Sequence, residues 1–304
     1  MMQNQLPPLF GANIDPTAHK LNLAFQLART ADTTGLDLIG VQDHAYNANF
    51  FETWTFVTGL ALATERVRVM TNVLTTPLRP PAMLAKMAAT LDVMTNGRVE
   101  LGLGAGAFEQ GITSFGGKFG TPGERYQAFE ESMAVIRGLW NSAGKPYSFN
   151  GKFHQVDNVQ FGPIPAQPIR IWTGSLGPRA VKLTGRTADG LIISMSYIPP
   201  EQLPEINRLL DEGAAEAGRK STDIRRAYNV AGAITDNGSR ITPRRQGLVI
   251  GSAKEWAEKI TGFYQEHRQD TFLFWPVAGE EQKQIEIFAN EVVPMVREAV
   301  MTNA

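Results

Sequence analysis

The chain has 304 residues, 43% hydrophobic and 19% charged, a balance that supplies ample core for a globular fold. Its 29 basic and 30 acidic residues give a formal net charge of -1 without a basic stripe, so nucleic acid is not expected as a partner. Cysteine is absent, which excludes disulfides, iron–sulfur clusters, thiolate metal sites and a cysteine nucleophile.

The polar start Met-Met-Gln-Asn-Gln is unlike a signal peptide, and no apolar run is long enough to span a bilayer. A cytoplasmic protein without membrane contact is therefore expected. Strands and helices then alternate. Residues 9–14 read as the first strand, and Asp15-Pro16 is expected to cap the first helix, with Leu21, Phe25 and Ala28 on its apolar face. Residues 36–42 form the second strand, closing in Asp43-His44. Asn49 and Glu52 have the spacing of a capping box for the second helix. The third strand, 67–72, leads through Thr76-Pro77-Leu78-Arg79-Pro80-Pro81 into the third helix.

Residues 88–106 carry a helix end, the Asn96-Gly97 turn and a fourth strand at 99–103. Gly102, Gly104 and Gly106 follow, and are expected to let a flat or charged ligand approach the main chain. A connection of about fifteen residues, long enough to suggest function, precedes the capping box Thr121 to Glu124 of the fourth helix. Tyr147, Phe149, Phe153 and Val156 around Asn150-Gly151 predict a hairpin. Strands five and six fall at 169–173 and 189–194, with a helix over 178–187 between them. The sixth helix begins near Pro200-Glu201 and strand seven spans 228–234. Residues 236–250 read as a mobile loop, Ser252 and Glu255 cap the seventh helix, and strand eight at 271–275 precedes a last helix over 281–299.

Eight such units fit one α/β domain over residues 1–304, a (β/α)8 TIM barrel with insertions after strand four, before strand five and after strand seven. The rival is a doubly wound sheet, whose glycine fingerprint Gly102, Gly104 and Ala107 match. That match sits in the fourth unit, and no acidic residue ends a strand about 20 positions later, so the barrel is preferred.

The carboxyl ends of barrel strands line one mouth. The sequence places Asp43, His44, Asn72, Ala105, Gly106, Gly174, Ser175, Ser194, Met195, Asn229 and Trp275 there. These residues include no carboxylate pair, no metal-spaced histidines and no nucleophile elbow. Only Asp43-His44 has acid–base character, so the mouth suits a cofactor that carries the chemistry itself. His44 reads either as a ring that satisfies a loop carbonyl or as the acid–base group; Asp43 either orients it or caps the turn. His19, His154 and His267 read as structural, and Trp172 as core. In Gly174-Ser175-Leu176-Gly177-Pro178-Arg179 a helix amino terminus faces the mouth beside a full positive charge. That arrangement reads as a phosphate cradle or as a plain connection.

Taken in order, Gly35 to His44, Thr71 to Lys86, Leu91 to Gly106, Ile169 to Gly190 and Phe274-Trp275-Pro276 resemble the bacterial luciferase-like superfamily of flavin and deazaflavin oxidoreductases. The resemblance implies a (β/α)8 barrel, often dimeric, with its cofactor at the carboxyl mouth. It also implies a non-proline cis peptide near Asn72-Val73, backing the middle ring of the cofactor. One branch uses coenzyme F420, a deazaflavin that carries hydride; the other uses reduced FMN and oxygen, with a separate reductase. Asp43-His44 resembles the deazaflavin branch, and Arg79, Arg179, Lys182 and Arg186 are expected to meet its phosphate and acidic tail. Expected cofactor contacts are Asn72, Val73, Gly104, Ala105, Gly106, Gly174, Ser175, Gly177, Pro178, Arg179 and Ser194, with His44 and Asp43 catalytic. Sugar-phosphate dehydrogenases of that branch carry Glu directly after the third glycine, where this chain has Ala107, so neither their substrate nor their proton donor is carried over. The leading expectation is hydride transfer between F420 and a small organic substrate. The alternatives are an FMN monooxygenase and a catalytically silent flavin-binding protein.

Overall fold

The computed structural model describes residues 5–235 and 247–302. Its strands are Leu9–Asn13 (β1), Leu38–Val41 (β2), Arg68–Thr71 (β3), Leu74–Thr75 (β4), Val99–Gly104 (β5), Tyr147–Asn150 (β6), Gln155–Val159 (β7), Arg170–Thr173 (β8), Gly190–Ser194 (β9), Arg225–Ile234 (β10), Leu248–Gly251 (β11) and Thr271–Pro276 (β12). The ring runs β1, β2, β3, β5, β8, β9, β10, β12 and back to β1, each pair parallel. Phe10 stands opposite Phe272 and Tyr228 opposite Ile193, so no edge remains among these eight strands. The expected TIM barrel is what forms. Short β4 pairs with β5, and β11 extends the sheet from β10. The antiparallel hairpin β6–β7 is the expected insertion before β8.

The helices are Leu21–Thr33 (α1), Thr53–Leu62 (α2), Pro81–Met94 (α3), Glu109–Thr113 (α4), Pro122–Trp140 (α5), Pro178–Thr187 (α6), Leu203–Glu216 (α7), Ala253–Gln265 (α8), Glu281–Ile287 (α9) and Val293–Thr302 (α10). Both predicted capping boxes, Thr121 with Glu124 and Ser252 with Glu255, are made. Two other start signals fail. Asp15-Pro16 does not cap α1, because a Thr17–Phe50 bridge and a 3₁₀ turn over Ala18–Lys20 intervene. Asn49 does not cap α2 either. Glu52 is the cap, and its carboxylate accepts from the N–H groups of Trp54 and Thr55. The last predicted helix is divided by a π-helical turn at Phe288–Val292.

The barrel interior is graded from charge to hydrocarbon to amide. At the amino end Glu100, 3% exposed, accepts from Arg68 Nε at 2.6 Å, Arg170 Nη1 at 2.9 Å and Trp172 Nε1 at 2.8 Å. Two guanidinium groups and an indole N–H offset the cost of burying that carboxylate. Above it Leu38, Met70, Trp172, Ile192, Ala227 and Leu273 form an apolar layer, which confirms Trp172 as core. At the carboxyl end the interior turns polar with Asn13, Asn72, Ser194 and Asn229. The larger apolar core lies outside the ring, where the helices cover the strands.

Candidate active site

Asp43 and His44 leave the end of β2 in different directions. Asp43 is 4% exposed, and its carboxylate accepts from Arg79 Nη1 at 2.7 Å, Arg79 Nη2 at 3.1 Å and Thr75 N–H at 2.8 Å. The expectation that Asp43 holds the His44 tautomer is therefore corrected. Its hydrogen bonds go to the loop after β3, and it bears on His44 only through its charge. Arg79 also reaches Glu52 at 2.6 Å, so this guanidinium is not available for a cofactor phosphate.

His44 is half-buried, with Nδ1 2.6 Å from the Tyr46 hydroxyl. Burial holds the imidazole below its ordinary pKa against the opposing charges of Asp43 and Asp15. Burial also raises the Tyr46 phenol, helped by the charges of Asp43 and Tyr197. Both groups are thus neutral near pH 7. In the tautomer whose Nδ1–H donates to the phenol oxygen, the neutral imidazole turns the Nε2 lone pair to the mouth, where it can take up a proton. Tyr46 was missed in the sequence. Its signal was an aromatic hydroxyl two residues past a strand-end histidine.

The Asn72-Val73 peptide is cis, as the resemblance implied. Asn72 Nδ2 donates to Asn13 Oδ1 and Asn229 Oδ1, both at 2.8 Å, Asn13 Nδ2 donates to Asn229 Oδ1 at 3.0 Å, and Asn229 Nδ2 donates to Ser194 Oγ at 3.0 Å. Positions at the ends of β1, β3 and β9 and midway along β10 are thereby joined across the mouth in one amide ring. Asn13 was missed, although an Asn closing an otherwise apolar strand could have signalled it. Replacing Asn229 by Ala takes away the acceptor that Asn13 and Asn72 share. Such unsatisfied buried groups cost about 1–3 kcal/mol each. Urea unfolding should show a loss of that order, and unchanged stability would mean the ring is not a unit.

The glycines correct another expectation. A Cβ on Gly104 would lie 3.0 Å from Val73 Cγ2, and one on Gly174 2.7 Å from the same atom. They make room for the Val73 side chain, not for a ligand. Gly106 lies at φ +78°, and its carbonyl accepts from Arg125 Nη1 at 2.6 Å. Ala105 is half-buried beside it. Ser175 is turned inward, its hydroxyl donating to Thr173 Oγ1 at 3.2 Å, so that side chain does not face a cofactor.

The amino end of α6 is open. Its cap Gly177 supplies no side chain, Pro178 stands in the first turn, and a Cβ on Gly177 would meet nothing within 4 Å. Exposed Arg179 has no ion pair among the described residues, and its guanidinium lies 4.8 Å from the Tyr126 ring centroid. Lys182 and Arg186, by contrast, are paired with Glu212 and Glu216, so the expectation that they meet an acidic tail is corrected as well. Arg125 and Tyr126, in the first turns of α5, were missed because their helix follows a different strand from the one that carries Arg179. The predicted loop over 236–250 falls, up to residue 246, outside the described residues.

Among the described residues no group of three metal-ligating side chains occurs, and no helix is long and apolar enough to cross a membrane. The chain is 30% identical over 225 residues to an F420-dependent glucose-6-phosphate dehydrogenase of Microbacterium testaceum, covering 72% of this chain and 66% of that protein. It is 35% identical over 188 residues to a phthiodiolone/phenolphthiodiolone dimycocerosates ketoreductase of Mycobacterium tuberculosis, covering 61% of this chain and 48% of the relative. The chain thus spans two thirds or less of the length of these curated relatives. Among solved structures, an F420-dependent secondary alcohol dehydrogenase in complex with an F420-acetone adduct superposes with a TM-score of 0.84 at 22% identity, over 96% of this chain and 99% of that one. That likeness shows the shared fold. The family model for luciferase-like monooxygenases matches residues 6–271, from the segment before β1 to the start of β12, and the chain belongs to that family.

Proposed function

We propose that this chain is an oxidoreductase that moves hydride between coenzyme F420 and a small organic substrate, acting as one barrel unit over residues 1–304. The observation that carries the reading is one mouth holding an amide ring behind the Asn72-Val73 bulge, a neutral His44–Tyr46 pair and an uncapped helix terminus with Arg179. The names of two relatives support the reading, since one is an F420-dependent dehydrogenase and the other a ketoreductase. The residues fit the group. Thr76 Oγ1 and Arg125 Nε are buried at this end without a hydrogen-bond partner among the described residues, and the α6 terminus with Arg179 suits an anion.

When bound, the deazaflavin gives a hydride to a substrate carbon or takes one from it. Gly177, Pro178 and Arg179 would hold its phosphate, while Val73, seated by Gly104 and Gly174, would line its ring beside Ala105 and Gly106. Asn72 and Ser194 set the amide floor. His44 Nε2 exchanges a proton with the substrate oxygen, and Tyr46 fixes the tautomer that does so. Asp43 acts at one remove, holding the Thr75–Arg79 loop in place.

Removing the Arg179 charge should weaken cofactor binding by the worth of one charge-assisted contact, about 1.5–3 kcal/mol. Equilibrium dialysis of Arg179→Ala with F420 measures it, and unchanged affinity at low and moderate salt would move the phosphate elsewhere. The same dialysis with FMN tests the alternative reading, an FMN monooxygenase served by a separate reductase. FMN binding tenfold tighter than F420, about 1.4 kcal/mol, would favour that alternative.

A cytoplasmic homodimer accompanies this reading. Leu62 on α2 and Met83, Val93 and Met94 on α3 are 45–55% exposed, and such apolar surface suits a second copy. Sedimentation of Met94→Asp against the parent chain checks it.

A further inference from the structure

Twelve large apolar side chains are at least 41% exposed among the described residues, and five of them stand at one end of the barrel. Phe108 and Phe115 follow β5, Leu176 follows β8, Tyr197 follows β9 and Val277 follows β12. All four connections leave carboxyl ends of ring strands, at the mouth that holds His44. Phe108 reaches the acid–base pair directly. The Phe108 ring lies edge-on to Tyr46 at 4.8 Å between centroids, and the Tyr46 hydroxyl bonds His44. Tyr197 is close enough for its charge to bear on Tyr46.

The charges at this spot are of the wrong sign for a phosphate. Asp43 and Asp15 both act on His44, and Arg79, tied into the same loop, is engaged by Asp43 and Glu52. A phosphate ester brought here would give up water for an apolar rim and a negative field. A flat apolar group would instead cover aromatic surface that now faces water.

We infer that this collar binds the aromatic part of a neutral substrate, an aryl ketone or the matching secondary alcohol, and that it rejects phosphorylated sugars. The inference rests on the hydride-transfer reading above and names its substrate class. In the reducing direction the carbonyl carbon gains a hydride with its two electrons from reduced F420, which becomes oxidised. The carbonyl oxygen gains the Nε2 proton of protonated His44, which returns to neutral imidazole; solvent resupplies that proton as the oxidised cofactor releases its second one. In the collar Phe108 is the stacking residue next to Tyr46, while Tyr197 closes the side contributed by β9.

The test is a binding titration with 2-acetonaphthone, acetone and glucose 6-phosphate, run on the chain alone and with oxidised F420 or FMN present. Expected are affinity for the naphthyl ketone at least tenfold above that for acetone, a loss of about tenfold in Phe108→Ala, and no measurable competition by glucose 6-phosphate. Phe108 is 46% exposed and Tyr197 72%, so their alanine variants should fold, and a thermal melt verifies this. Glucose 6-phosphate binding as tightly as the ketone would overturn the inference, as would ketone affinity unchanged in both Phe108→Ala and Tyr197→Ala. So would absence of ketone binding, whether or not Phe108→Ala alters self-association. If neither cofactor binds but the ketone binds through Phe108, the collar stands and the hydride-transfer reading falls.

Discussion

Replacing His44 by alanine is expected to slow single-turnover hydride transfer by about 10²–10⁴-fold, the range contributed by a positioned proton-transfer group. The ring stands half-buried at the end of β2, and its only hydrogen bond among the described residues is to the Tyr46 hydroxyl. Removing that hydroxyl with Tyr46→Phe should have a smaller effect, about fivefold, because one neutral hydrogen bond is worth roughly 1 kcal/mol. The pH profile separates the two roles. Burial lowers the His44 pKa, so the neutral base persists to a pH below the ordinary value of about 6.5. In the alcohol-oxidising direction the rate should stay level near neutrality and fall only in more acidic solution.

The stability sign for His44 is consistent with this. Between the unfolded pKa and the lower folded one, the unfolded chain binds more protons, so His44 costs stability as pH falls below about 6.5 and costs nothing above it. His44→Gln should remove that part of the acid sensitivity. Cofactor absorbance with saturating substrate is the measurement for the rate. A His44→Ala rate near that of the parent chain, with the fold intact, would return His44 to packing.

The largest stability effect is expected at Arg79. Its guanidinium bridges Asp43 and Glu52, and the Asp43 side chain is fully buried. Arg79→Ala strands the Asp43 carboxylate with the Thr75 N–H as its remaining partner, and leaving one member of a buried pair typically costs 3–5 kcal/mol. The double variant Asp43→Asn with Arg79→Met strands no charge and should regain part of the loss. Because Asp43 anchors the loop that begins at the Asn72-Val73 bulge, Arg79→Ala should also loosen cofactor binding at temperatures where the fold survives. Denaturant unfolding of the single and double variants decides the matter. A single-variant loss below about 1 kcal/mol would mean that the pair is effectively solvent-screened.

The order of elements was open to reading because periodicity and punctuation are local. Apolar runs of four to six residues such as Leu38–Val41 can only be strands buried on both faces, and Thr121 with Glu124 or Ser252 with Glu255 satisfies backbone groups within one turn. The positions of Asp43, His44, Asn72, Ser194 and Asn229 at one mouth followed from that order, since every strand of a parallel barrel ends on the same side. The roles of these residues did not follow. Adjacent side chains at a strand end diverge, so Asp43 and His44, neighbours in sequence, took Arg79 and Tyr46 as partners. Gly104 and Gly174 looked like ligand cradles but face Val73, which the cis peptide after β3 turns toward them. The amide ring joins positions up to 216 residues apart, Asn13 and Asn229, and its hydrogen bonds exist only once the barrel closes. Sequence by itself therefore determined the fold and the end of the barrel where the site lies, because both depend on local pattern. The tertiary structure decided which polar groups are engaged and which are available to a ligand, because a buried donor takes whichever acceptor the packed fold brings within reach.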